Sequence, residues 1–254
     1  MPELLEVKNL IKRFGDSSVL DDISLTVKKG EVVVILGPSG CGKSTLLRCI
    51  NALEDIQGGE ILIDGENILT GGKHNPKVGM VFQSYDLFPH LTVLDNITLA
   101  PCKVQKRDKA QVRDEARELL KRVGLSDKEK SYPRELSGGQ KQRVAIVRAL
   151  IMHPELLLFD EVTAALDPEM VREVLEVILD LAKQGKTMMI VTHEMQFARA
   201  IADRVIMIDG GKIIEENPPE RFFTAPDTDR ARQFLNTFTY ESVKKAIPDE
   251  TAAR

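Results

Sequence analysis

The chain has 254 residues, of which 43% are hydrophobic and 29% charged, and its net charge is -4 at pH 7. That is room for one large domain, or for a core with an inserted subdomain, at ordinary globular composition. The acidic balance gives no overall attraction to nucleic acid, three cysteines (Cys41, Cys49, Cys102) do not make a disulfide framework, and no apolar run approaches the roughly 20 residues that span a bilayer.

The N-terminus "MPELLEVKNL" lacks the basic-then-apolar order of a signal peptide. A chain that is soluble and cytoplasmic by itself is expected, with docking onto a membrane protein left open. The first thirty residues alternate loosely between turn signals at "FGDSS" and "KKG" and predict short strands. "EVVVILG" (31–37) is continuously apolar, as in a strand buried on both faces. "KSTLLRCINAL" (43–53) predicts a helix, "GGEILIDGENI" (58–68) two short strands around a turn at Asp64-Gly65, and "KVGMVFQ" (77–83) another strand.

From about Ser84 to His153 the pattern turns helical. "RDKAQVRDEARELLKRVGL" places Val112, Ala116, Leu119, Leu120 and Val123 on one face, with Gly124 at its end. "GGQKQRVAIVRALIM" is apolar on most sides in its second half, which predicts burial. Apolar strands then alternate with helices again: "ELLLFD" (155–160), "KTMMIVTH" (186–193) and "DRVIMID" (203–209), separated by "DPEMVREVLEVILDLAKQG" and "EMQFARAIA". Such alternation predicts a parallel sheet flanked by helices, with 84–153 inserted into it. Residues 1–83 and 154–240 form the expected core, and 241–254 a polar, frayed tail.

"GPSGCGKST" (37–45) fits G-x-x-x-x-G-K-[ST] at Gly37, Gly42, Lys43 and Ser44. Glycines let backbone amides turn inward, and the helix that follows adds its unsatisfied N-terminal amides and positive dipole end. Together they cradle a polyphosphate, which Lys43 can reach while the Ser44 hydroxyl ligates Mg²⁺. Cys41 lies beside those amides and Lys43, where thiolate character and reactivity are expected. "LLLFDE" (156–161) ends a strand with Asp160, which can hold the metal ion, and with Glu161, which can orient or deprotonate an attacking water.

"LSGGQ" (136–140) narrows the class. Strand, cradle, helical insert, LSGGQ and LLLFDE in this order resemble the ATP-binding subunits of ABC transporters over about residues 4 to 240. The resemblance implies an α/β fold: a P-loop NTPase (RecA-like) core with a parallel sheet, an N-terminal antiparallel β part and the helical insert. It implies Mg²⁺-dependent ATP hydrolysis in a homodimer, with two ATPs sandwiched head to tail. The cradle, Gly37, Ser39, Gly40, Cys41, Gly42, Lys43, Ser44 and Thr45, would face Ser137, Gly139 and Gln140 of the partner copy. Ser137 at a helix start also reads as a plain N-cap. By the same resemblance Gln83 ends a strand and reaches the Mg²⁺ and water site, and His193 contacts the γ-phosphate. Asp167 belongs to a loop crossing the dimer interface, and Phe14 stacks on adenine unless it is simply a core phenylalanine. The family often has "DEPTSALDPE" where Val162 and Ala164 stand here, which puts that loop's geometry in question. Phe14 lacks a tyrosine hydroxyl, and the link "LTGGKHNPKVG" is short.

"SYDLFPHLTVLDNITLAP" (84–101) and "DRARQFLN" (229–236) resemble the polar amino acid uptake branch. This implies permease subunits in the membrane, an extracytoplasmic substrate-binding protein, and a peripheral position on the inner face of the cell membrane. Tyr85, Leu87, Phe88 and Leu91 would line a groove for a permease helix, or pack the insert's own core. The rival is a soluble ABC-type ATPase acting on DNA or the ribosome.

Overall fold

A computed structural model describes residues 2–68, 77–164 and 166–238. Most of the short link (69–76) and the tail (241–254) lie outside the described residues. In place of several short N-terminal strands there are two long ones, β1 (Glu3–Phe14) and β2 (Ser17–Lys28), paired antiparallel. Register shifts between Val7 and Leu10 and on either side of Lys12 break the alternation, so one bulged strand reads as fragments. On the other edge of β1, β4 (Gly58–Ile63) and β5 (Glu66–Asn67) turn at Asp64-Gly65 as predicted and complete a four-stranded antiparallel sheet.

The second sheet has six strands in the order β10-β9-β3-β8-β7-β6. These are β3 (Val32–Leu36), β6 (Val78–Val81), β7 (Leu156–Asp160), β8 (Thr187–Val191), β9 (Arg204–Asp209) and β10 (Lys212–Asn217). All neighbours run parallel except the edge strand β10. The sequence reading passed over β10 because "KIIEEN" is half charged, which an edge strand tolerates.

Every β3 side chain is buried, and period 2 divides them. Val33 and Ile35 pack toward the antiparallel sheet and α1 (Lys43–Ile50). Val32, Val34 and Leu36 pack toward α5 (Pro168–Lys183), α6 (Met195–Ile201), α7 (Pro219–Thr224) and α8 (Asp229–Asn236). Each such side chain contributes about 1.5–3 kcal/mol of burial, which anchors the strand that carries the 37–42 loop. β3 lies between β9 and β8 and parallel to both, so the loop leaving its carboxyl end stands beside theirs.

Helix does not begin at Ser84 as expected. Residues 84–92 are irregular, and α2 (Val93–Lys103) starts where the Thr92 hydroxyl accepts from the Asp95 amide at 3.1 Å. With α3 (Lys109–Arg122) and α4 (Gly138–Leu150) it encloses a third core, including Val93, Ile97, Val112, Ala116, Leu120, Val144 and Val147. The predicted α3 stripe faces this core, with Leu119 at its edge. α4 also sends Ala145, Ile146 and Ala149 into the core beneath the parallel sheet, so it joins insert to sheet.

Candidate active site

The 37–42 loop has room for backbone only at its two ends. A Cβ on Gly37 (φ 147°) would stand 2.0 Å from the Ile208 carbonyl oxygen; one on Gly42 (φ 104°) would stand 2.7 Å from Leu20 and 2.9 Å from the Val19 carbonyl oxygen. Gly42 starts α1 without a side-chain cap, so the helix's first amides face the loop. Ser39 and Gly40 are exposed at the crown, and Ser44 and Thr45 are half-buried below it. Lys43 Nζ donates to the carbonyls of Gly37 (3.0 Å) and Pro38 (2.9 Å), which holds its ammonium over the loop.

Cys41 corrects the sequence expectation. Its side chain belongs to the core shared with the antiparallel sheet, and burial, only partly opposed by Lys43, pushes its thiol above the ordinary range. Maleimide is therefore expected to modify half-buried Cys102 before Cys41 in the native chain. Mass mapping checks this; rapid Cys41 labelling that Mg-ATP blocks would contradict the burial.

At the end of β7, buried Asp160 accepts from the Ser44 hydroxyl through Oδ1 at 2.6 Å. Two predicted metal ligands from distant parts of the chain thus meet. Burial pushes the Asp160 carboxyl up, the Ser44 bond pulls it back, and Glu161 raises it again. Because the Asp160 carboxyl is raised in the folded chain, ionisation costs stability progressively as pH rises from the ordinary carboxylate value through the folded one, and fully above it. A bound cation reverses that cost, and two hard oxygen donors completed by phosphate and water suit Mg²⁺. Gln83 stands apart. β6 ends at Val81, not at Gln83, and Gln83 is exposed, with no hydrogen bond to Ser44 or Asp160 among the described residues. The parallel pairing of Val81 with Phe159 still brings it beside the end of β7.

Glu161 has φ 46°, a left-handed value that a residue with a side chain adopts at a cost of order 1–3 kcal/mol. Its amide donates to the Val191 carbonyl (3.0 Å), and its Oε1 lies 2.9 Å from His193 Nε2. The sequence names both residues but not their contact, which follows from β7 and β8 being neighbours with Asp160 opposite Val191. The departures at Val162 and Ala164 do not undo the turn. Val162 is buried, the Ala164 amide donates to the Glu161 carbonyl (3.1 Å), and the Leu166 amide to the Thr163 carbonyl (3.1 Å).

Phe14 is 49% exposed, which removes the core alternative. It ends β1 in the same hairpin whose Val19 and Leu20 press on Gly42. Ser137, Gly139, Gln140 and Asp167 form a separate cluster. Ser137 is an N-cap in this chain: its Oγ accepts from the Gln140 amide (3.2 Å), and Gln140 Oε1 accepts from the Ser137 amide (3.0 Å). A Cβ on Gly138 would meet Leu166 and the Tyr85 hydroxyl, and one on Gly139 would meet Met170, so α4 starts tightly against α5. Asp167 is exposed at the N-cap of α5, its side chain making no capping bond. Sequence reasoning missed two braces of the segment after β6: Gln142 donates to the Phe82 carbonyl (3.2 Å), and Arg148 to those of Asp86 (2.6 Å) and Tyr85 (3.4 Å).

The family model for the ABC transporter matches residues 20–164. The chain is 55% identical over 236 residues to the glutamate/aspartate import ATP-binding protein GltL of Escherichia coli (strain K12), covering 91% of this chain and 98% of that protein. It is 54% identical over 231 residues to the glutamine transport ATP-binding protein GlnQ of Geobacillus stearothermophilus, covering 89% and 95%. A similar solved structure is the dimeric post-hydrolysis state of the ATP-binding cassette MJ0796 bound to ADP and Pi. Its TM-score is 0.76 at 34% identity, covering 85% of this chain and 99% of that one.

Proposed function

The chain belongs to the ABC transporter family, and from that premise we propose that it is the ATP-hydrolysing motor subunit of an importer for polar amino acids. One observation carries the chemistry: the phosphate-type loop, the Ser44–Asp160 contact and the Glu161–His193 contact all lie at the carboxyl ends of neighbouring strands. The amides of residues 37–45 and Lys43 bind the phosphates, and Phe14 takes the base. Ser44 and Asp160, joined by Gln83, would hold a Mg²⁺, which would supply charge neutralisation at the phosphates. Glu161 accepts a proton from the attacking water or orients it, and His193 holds the Glu161 carboxylate and reaches the γ-phosphate. Catalysis is positioning and charge stabilisation rather than covalent chemistry.

Ser137, Gly139, Gln140 and Asp167 complete the site of a second copy. This division supports a homodimer, as does the dimeric neighbour. Residues 84–153 act as the helical unit that meets the permease. No helix of the described residues is long and apolar enough to cross a membrane, so the place on the inner membrane face comes from those permease subunits. A binding protein outside the membrane delivers the amino acid. The rival reading draws no support, since both named relatives are transport proteins. The test is reconstitution in vesicles with the candidate permease and amino acid-loaded binding protein. ATP hydrolysis should rise only when all are present. Hydrolysis indifferent to them, but stimulated by DNA or ribosomes, would reverse the assignment.

A further inference from the structure

Lys12 is 4% exposed, where a lone ammonium would be costly. Its ammonium has two hydrogen-bond acceptors and an aromatic ring beside it. Nζ donates to Glu54 Oε2 at 2.9 Å and to the Asp55 carbonyl at 2.7 Å, and it stands 4.4 Å from the centroid of the Phe14 ring. Glu54 and Asp55 belong to the segment that leaves α1. The same segment is laced to β1 twice more: the Gln57 amide donates to the Ile11 carbonyl (2.9 Å), and Gln57 Oε1 accepts from the Arg13 amide (2.6 Å). The helix that closes the phosphate-type loop at its start is therefore tied at its end to the strand that presents Phe14. Half of Phe14 remains exposed.

We propose that Lys12 is a positioning residue for nucleobase recognition: its ammonium holds one face of the Phe14 ring at a fixed span from the phosphate-type loop, so that the opposite face receives an aromatic base. The proposal rests on the reading that Phe14 stacks on the base. A cation against one face draws the ring's π density toward itself, which leaves the other face better suited to an electron-rich purine. Glu54 neutralises the ammonium, so Lys12 acts on the base and not on the phosphates.

The test compares binding of Mg-ATP with binding of Mg-tripolyphosphate, which has no base, in the full chain. Lys12→Met should weaken ATP binding about threefold to tenfold and leave tripolyphosphate unchanged. In steady-state hydrolysis the loss should fall in KM and not in kcat. Lys12→Arg, which keeps a cation over the ring, should restore most of the affinity. Lys12→Gln keeps a donor for the Asp55 carbonyl without the charge, and it carries the same test if Lys12→Met does not fold. Unchanged ATP affinity in the uncharged variant, or equal loss of ATP and tripolyphosphate, overturns the proposal. Phe14→Ala separates the two layers. If it leaves the preference for ATP over tripolyphosphate intact, the stacking reading itself falls; if it removes the preference while the Lys12 variants retain it, only the role of Lys12 falls.

Discussion

Replacing Glu161 with glutamine is expected to lower ATP turnover by about 10²-fold or more while ATP binding persists. Glutamine keeps the size of the side chain and its contact distance to His193, now 2.9 Å, but it cannot take a proton. The backbone should not change. Its left-handed φ is fixed by the turn into Ala164 and by the amide bond to Val191, neither of which uses the carboxylate. Asp160, the buried neighbour that meets Ser44, is untouched, so phosphate and metal ion should still bind. With hydrolysis blocked and binding intact, the ATP-bound dimer should accumulate. Light scattering with and without Mg-ATP reads the dimer, and phosphate release reads the turnover. Near-normal hydrolysis would show that another group activates the water; lost ATP binding would show that Glu161 helps build the site rather than run it.

The parts of this site legible in the sequence are those whose chemistry is local. "GPSGCGKST" dictates its own geometry, because glycines at 37 and 42 and a helix start at 43 permit little else. "LLLFDE" announces a strand ending in carboxylates for the same reason. What was not legible depends on strand order. The meeting of Ser44 with Asp160 was expected from their shared metal role, but the Glu161–His193 contact arises because β7 and β8 are neighbours, and no spacing along the chain encodes that. Lys12 was missed because a lysine near a turn reads as solvated, whereas its partners Glu54 and Asp55 arrive from beyond α1. The reactivity expected of Cys41 came from the nearby amides and Lys43, while the burial of its side chain in a core shared with the antiparallel sheet is set by tertiary packing. The helical stretch expected from about Ser84 begins only at Val93, because Pro89 breaks the segment before it and Thr92 caps the helix.

That irregular stretch carries the second large effect, at the membrane partner. Its four apolar residues divide in the structure. Leu87 packs between two cores and Tyr85 lies against the start of α4, so both serve the subunit's own packing. Leu91 is half-buried, while Phe88 is 43% exposed with its ring edge-on to His90. The backbone of the stretch does not depend on the Phe88 ring. Buried Asn96 accepts from the Phe88 amide (2.8 Å) and donates to the carbonyls of Phe88, Leu91 and Thr92 at 3.0–3.1 Å. Gln142 and Arg148 brace the preceding residues onto α4. Phe88→Glu should therefore leave the melting temperature and basal ATPase of the isolated subunit close to those of the parent. An aromatic anchor in a groove contributes about 2–4 kcal/mol, and a carboxylate there adds a desolvation cost, so affinity for the permease should fall by 10²-fold or more. Co-purification with the permease and amino acid uptake by vesicles should both be lost. Because Gln83 lies a few residues upstream of Phe88, on a segment clamped to the helix that begins at Ser137, movement of α4 on dimer closure would carry this anchor with it. If Phe88→Glu unfolds the subunit, or removes basal ATPase as fully as transport, the ring serves the insert's own structure and the permease contact lies elsewhere.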